Sequence, residues 1–212
     1  MSCKLTRNKK NAAIATAGAA VLLVGSSFAF FMDKESVTNP FTVGNVKITV
    51  TEEHFDKTTA TDITPNKVIP KDPVVTNTGV NDVYAFVSVK VPKANVETAN
   101  ADGTLNAAKN QDLFTYKVND NWKLIKTNDA DDHTEYIYAY SDADGSLKKL
   151  AKSEKTNAVF DNVKFINIVD EQQSGVNLNI DVNGIGIQTA DLGTDNPLQI
   201  YNIAVKQMQT KR

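Results

Sequence analysis

Every odd-numbered position from 83 to 91 is apolar: Val83, Ala85, Val87, Val89 and Val91. A period of two places these side chains on one face of a strand and would scatter them around a helix, so the segment belongs in a sheet. Tyr84 and Phe86 occupy the opposite face, which predicts cover on both sides near that end. Pro92 lacks the N–H a ladder needs and is expected to end the strand. The same period recurs at Val46, Ile48 and Val50, at Phe114, Tyr116 and Val118, at Tyr136, Tyr138 and Tyr140, and at Val176, Leu178, Ile180 and Val182. Asn119-Asp120-Asn121 leads into Trp122, Leu124 and Ile125 and predicts a hairpin, and Asn183-Gly184 predicts a turn before Ile185 and Ile187. Ile200, Ile203 and Val205 are expected to form the last strand. Helical patterning is confined to short stretches at 106–113 and 146–155, and residues 95–111 read as an exposed insertion. Many short strands divided by Gly, Asn, Asp and Pro turns predict an all-β, antiparallel β-sandwich with short helices in loop insertions.

The N-terminus is built differently. Lys4, Arg7, Lys9 and Lys10 form a basic start without an acidic residue, and residues 12–24 are apolar except for Thr16 and Gly18. Ser27-Phe28-Ala29 supplies small residues at −3 and −1 of a signal-peptidase site, so cleavage is expected between Ala29 and Phe30. The apolar run is shorter than the roughly twenty residues of a membrane-spanning helix, which favours a cleaved export signal over a retained anchor. The expected organisation is a cleaved signal over 1–29, an N-terminal donor-strand segment over 30–43, and a single β-sandwich domain over 44–212.

Composition narrows the partners. The formal net charge is −2, and removal of residues 1–29 takes away four of 23 basic residues and none of 25 acidic ones, leaving about −6. A mildly acidic surface argues against nucleic acid, and no cluster of Lys and Arg suggests an anionic membrane; membrane contact is expected only through the uncleaved signal. The single cysteine, Cys3, precedes the apolar run, so neither a disulfide nor a lipid anchor is expected. A domain of roughly 180 residues needs no such staple. Residues 207–212 carry no wall-sorting sequence, so release from the cell, or association through other proteins, is expected.

Residues 30–48 read Phe-Phe-Met-Asp-Lys-Glu-Ser-Val-Thr-Asn-Pro-Phe-Thr-Val-Gly-Asn-Val-Lys-Ile, and this stretch resembles the start of the mature chain in the TasA/camelysin family. The segment from Ile69 to Gly79, with Lys71-Asp72-Pro73 and Asn77-Thr78-Gly79, is similar to the same family, as is the segment from Gly184 to Gly193. Similarity is thin from Glu97 to Glu171. The resemblance implies a jelly-roll topology, export from a Gram-positive bacterium through a SipW-type signal peptidase, and assembly into matrix fibres.

Camelysin-like members have been classed as metallopeptidases, which makes the metal-ligating residues worth weighing. A zinc peptidase of the commonest kind places two histidines four apart on one helix with a glutamate between them. Here the two histidines, His54 and His133, are distant in sequence. Glu52-Glu53-His54-Phe55-Asp56 and Asp131-Asp132-His133-Thr134-Glu135 are weak metal candidates that would have to converge; solvated loop residues are the plainer expectation. Asp142-Ala143-Asp144-Gly145 and Asn100-Ala101-Asp102-Gly103 look like fragments of calcium loops. Their first and last ligand positions are wrong, and turns are expected instead. With no Gly-x-Ser-x-Gly and no cysteine beyond Cys3, no catalytic residue and no cofactor is expected. Tyr136, Tyr138 and Tyr140 could line a sugar-binding face, although a half-buried aromatic ladder is commoner.

Phe30 would begin the exported chain. It opens an apolar pair followed by a short charged stretch and a Thr/Asn spacer, a segment hard to bury within its own domain. Donation as an extra strand to a neighbouring copy, with Phe30, Phe31 and Val37 filling pockets, would build open filaments. The expected function is therefore a secreted subunit of, or accessory to, an extracellular or biofilm-matrix fibre, with other copies or related fibre proteins as partners. The alternatives are a camelysin-like cell-surface metallopeptidase and a monomeric adhesin or carbohydrate-binding module.

Overall fold

A computed structural model describes residues 46–60, 63–169, 172–173 and 178–210, with Lys57 and Thr59 described by their backbone alone. The expected cleavage site at Ala29 and Phe30, the donor residues Phe30, Phe31 and Val37, and Val176 lie outside these residues. The elements in chain order are β1 (Ile48–Glu52), a 3-10 turn (Lys57–Ala60), β2 (Val68–Pro70), β3 (Pro73–Asn77), β4 (Val83–Ala99), β5 (Leu105–Asp112) and β6 (Phe114–Tyr116). They continue with β7 (Trp122–Asp129), β8 (His133–Tyr140), β9 (Lys149–Leu150), β10 (Asn162–Phe165), β11 (Asp181–Gln188) and α1 (Pro197–Thr210).

All strand pairs are antiparallel. The main sheet runs β11-β4-β8-β7, and β5 and β9 also pair with β4; smaller sheets are β1-β3 and β2-β10-β6. The apolar face of β4, Val83 to Val91 at odd positions, is wholly buried. It shares a core with Ile48 of β1, Ile69 of β2, Val75 of β3, Phe114 of β6 and Val163 and Phe165 of β10. The two small sheets thus cover one face of the main sheet, giving an antiparallel β-sandwich. On the opposite face Phe86, Ile137, Ile185 and Ile187 pack against Ile200, Tyr201 and Ala204 of α1. The rings of Phe86 and Tyr201 meet edge-on at 5.7 Å, so both faces of β4 are covered, as Tyr84 and Phe86 predict.

Several local expectations are corrected. Pro92 does not end β4, which runs 17 residues through it. Along one edge of β4 the pairing passes from β11, starting at Asp181↔Lys90, to β5, starting at Asp112↔Lys93. Pro92 sits in that gap, where its missing N–H interrupts no bond, and its carbonyl accepts from Leu113 N at 2.9 Å. Residues 106–113 are extended rather than helical, because β5 folds back on β4 through a turn at Asn100–Thr104. In that turn Asp102 accepts from both the N–H and the hydroxyl of Thr104, at 2.9 and 2.6 Å. Residues 146–155 hold the β9 strand pair and a turn, not a helix.

The expected hairpin around Asn119–Asn121 joins different sheets: β6 pairs with β10 and β7 with β8. The turn is tied to the 158–161 loop, since Asn119 donates its N–H to Val159 O at 2.8 Å and its side-chain amide to Asp161 at 2.9 Å. Asn183-Gly184 lies inside β11, not at a turn, and Leu178 and Ile180 precede that strand. The last expected strand is α1. Asn196 caps it by accepting from Gln199 N at 3.1 Å, and Pro197 opens it with a preset φ.

Candidate functional site

The residues weighed as ligands or binding surfaces fall in separate places. His54 follows β1 and lies beside Asp72, in the link between β2 and β3. One carboxylate oxygen of Asp72 accepts His54 N at 2.9 Å and the other lies 2.6 Å from Nδ1. That hydrogen bond, and then the charge of Asp72, raises the imidazole pKa above its ordinary value. The preceding residues are fastened too: Glu52 to Lys71 at 2.8 Å and Glu53 to Lys155 at 3.3 Å. Lys71 Nζ also sits 4.7 Å over the ring of Phe55. The end of β1 is thus clamped by three successive side chains to three other points in the domain.

His133 opens β8, where its register partner is Pro92, and its Nδ1 lies 2.7 Å from Asp132. Each histidine has its own neighbouring carboxylate. Among the described residues no group of three or more His, Cys, Asp or Glu side chains converges on a point that could hold a metal ion. The two calcium-like stretches are turns: Gly103 and Gly145 take φ of 84° and 87°, and Asp144 is engaged by Ser146 N and Oγ at 2.9 and 2.7 Å. An open depression beside Tyr84, of about 380 Å³, is lined by Thr189, Asp191, Leu192, Gly193, Thr194 and Asp195.

The tyrosine ladder does not present a sugar-binding face. Tyr138 and Tyr140 are only 4% and 6% exposed, and Tyr136 is half-buried. Tyr140 packs on Trp122 with ring centres 5.2 Å apart, and the hydroxyls of Tyr138 and Tyr116 share a hydrogen bond of 3.0 Å. Tyr136 donates to Asp112 at 2.6 Å, and burial together with that carboxylate pushes its pKa up to about 12. Tyr138 and Tyr140 are core residues, the hydroxyls of Tyr136 and Tyr138 are engaged within the domain, and the adhesin alternative loses the surface it needs.

Two features were not legible as functional in the sequence. Gly184 and Gly186 form the floor on which β1 lies: a Cβ on Gly184 would stand 2.6 Å from Val50 Cγ2, and one on Gly186 would stand 2.9 Å from Ile48 Cγ2. Asn77, wholly buried at the end of β3, donates to Asn81 O and Leu150 O at 2.8 and 2.9 Å and accepts from Gly79 N at 2.9 Å. The Asn-x-Gly spacing was the available signal, since an Asn side chain closing on the amide two residues later is a known turn device.

A family model described as camelysin metallo-endopeptidase matches residues 5–191. The chain belongs to the camelysin family. The match runs from the N-terminal basic stretch through β11 and stops short of α1, so the helix that covers the outer face of the main sheet lies beyond it. No curated protein and no solved structure matches the chain. The family's description as a metallo-endopeptidase implies a metal. Both histidines of this camelysin-family chain are described, each held by a separate carboxylate, and the sequence has no His-Glu-x-x-His. The described side chains do not fit a zinc centre.

Proposed function

We propose that this camelysin-family chain is an exported structural protein, a subunit of or accessory to an extracellular fibre. Residues 30–43, freed by cleavage after Ala29 by a SipW-type signal peptidase, would add as a strand to a neighbouring copy or a related fibre protein. The observation that carries this reading is the presence of long strand edges with no neighbour among the described residues. β5 and β7 each run eight residues, and each has one pairing partner. Unpaired N–H and C=O groups along such an edge are a template for another strand. The N-terminal segment supplies a matching element, an apolar and strand-competent stretch immediately ahead of β1.

The deciding experiment is electron microscopy of purified protein beginning at Phe30 beside protein beginning at Thr42. Filaments from the longer form alone support donation; two monomeric samples refute self-assembly. The family description supports a second reading, a metal-dependent endopeptidase. Casein cleavage that is abolished by a chelator and by His54→Ala or His133→Ala would establish it against the geometry of the donor set.

A further inference from the structure

We propose that the acceptor for the N-terminal segment is the outer edge of β7, and that its occupant is residues 30–37 of a second copy of this chain. The inference rests on the fibre reading and names the surface that reading requires.

β7 is the last strand of the main sheet, with β8 on its inner side. Ser141 N donates to Asn121 O and Ala130 N donates to His133 O, which fixes the phase of the ladder at both ends of the strand. Counting from these bonds along the register, Lys123, Lys126 and Asn128 turn their backbone groups towards β8, while Leu124, Thr127 and Asp129 turn theirs outward. The extra residue of the bulge between Leu124 and Lys126 brings Lys123 and Lys126 onto the same face, two effective positions apart. Both lysines are exposed. On the opposite face Leu124 is 53% exposed, a large apolar side chain at a sheet edge with no strand neighbour among the described residues.

The donor matches this pattern in length, charge and apolar content. Residues 30–37 number eight, as β7 does, and both span about 27 Å when extended at roughly 3.4 Å per residue. Residues 38–45 remain as a tether to the donor's own domain. In an extended segment Asp33 and Glu35 share one face and lie two positions apart, the spacing of Lys123 and Lys126. Phe30, Met32 and Lys34 then fall on the other face, the side on which Leu124 is exposed, and Phe31 and Val37 flank the acidic pair on its own face. Lysines on an edge strand ordinarily discourage pairing. Here they admit an acidic strand and repel a basic one, so the edge selects its partner.

The test uses the full mature chain from Phe30. Lys123→Glu with Lys126→Glu is expected to abolish filaments while leaving the thermal midpoint within a few degrees, since both side chains are exposed. Adding Asp33→Lys and Glu35→Lys to that protein restores the charge match with reversed sign and is expected to restore filaments. Thr127→Pro removes one outward N–H without touching the β8 ladder and is also expected to block growth, with Thr127→Ala as the permissive control. Filaments from the Lys123→Glu/Lys126→Glu protein at wild-type yield would overturn β7 as acceptor and leave fibre formation standing. Loss of filaments without rescue by the donor reversal would overturn the charge pairing. Absence of filaments from the unaltered chain would overturn the fibre reading itself.

Discussion

Gly184→Ala tests whether β1 is seated on β11 as the structure places it. The new methyl would stand 2.6 Å from Val50 Cγ2 and 3.1 Å from Ile48 Cδ1, against the 3.5–4.0 Å at which carbon atoms rest. Val50 is β-branched and stiff at χ1, so relief must come from moving β1 by about 1 Å off its floor. Overpacking of this kind costs about 1–3 kcal/mol. Replacing glycine with alanine returns about 0.4–1 kcal/mol by restricting the unfolded chain, which leaves a net loss of about 1–2 kcal/mol. Urea unfolding would read this as a lower midpoint at unchanged slope. Val50→Ala removes the clashing methyls and itself destabilises, because Val50 packs against the core. In the double variant the clash is gone, so the two losses should fall short of additive by about 1 kcal/mol. A Gly184→Ala protein as stable as the parent, or strictly additive losses, would refute the seating of β1 on this glycine floor.

Asn77→Ala should cost about 2–4 kcal/mol, because it strips partners from Leu150 O and Gly79 N at buried bonds that water does not reach; urea unfolding measures it. Lys71→Ala should cost about 1.5–3 kcal/mol, since it leaves the mostly buried Glu52 carboxylate without its cation, whose side chain is only 10% exposed; a loss under about 0.5 kcal/mol would show the pair to be incidental. Alkali should unfold the protein through its tyrosines. Tyr136 is pushed up to about 12, by burial first and then by Asp112, and burial raises Tyr116 and Tyr138 as well. A raised folded pKa means stability is full below the unfolded value of about 10 and is lost as pH climbs through the folded one. Tyrosinate absorbance from these rings should therefore appear late, together with loss of near-ultraviolet circular dichroism. Uniform ionisation of all six tyrosines with the fold intact would contradict this.

What the sequence disclosed and what it hid follow from the range of the forces involved. The alternation at Val83–Val91 is local and survived intact, because a face of five valines and alanines can be buried only in a sheet. The end of that strand was not local. Pro92 is tolerated since its missing N–H falls between β11 and β5, two partners far away in the chain. The same holds for β6 and β7, whose turn is captured by the 158–161 loop and sent to different sheets. α1 was hidden for another reason: Ile200, Ile203 and Val205 fit either period over so short a run. The discriminating signal was the cap, Asn196 followed by Pro197, together with Ile200 and Ala204 spaced one turn apart. For the candidate site, the histidines were visible as residues, but their separate carboxylate partners, Asp72 and Asp132, were not. Whether two ligands converge is a property of the fold and not of spacing.

The described parts of the three segments by which the sequence resembles TasA/camelysin proteins meet in one place. The first runs into β1; the second contains β3 and Asn77; the third begins with Gly184 and Gly186 of β11. β1 pairs with β3 from Ile48↔Asn77 to Glu52↔Pro73, and it lies face down on the two glycines. Asn77 locks the end of β3 against Leu150 O, and the carbonyl of Lys47 accepts from Thr78 N and Gly79 N at 2.8 and 2.9 Å. Lys71 and Asp72, from the same second segment, clamp Glu52 and His54 at the other end of β1. None of these residues forms a catalytic constellation. Together they hold in place the strand to which the N-terminal segment is joined. A filament under tension from a donated N-terminus would pull on β1 directly, and a strand held at both ends and pressed onto a glycine floor is built to resist that pull. On the fibre reading proposed above, the family-like residues would carry load without a metal, and weakening the seat through Gly184→Ala or Asn77→Ala should shorten filaments even where the donor and acceptor edges are untouched.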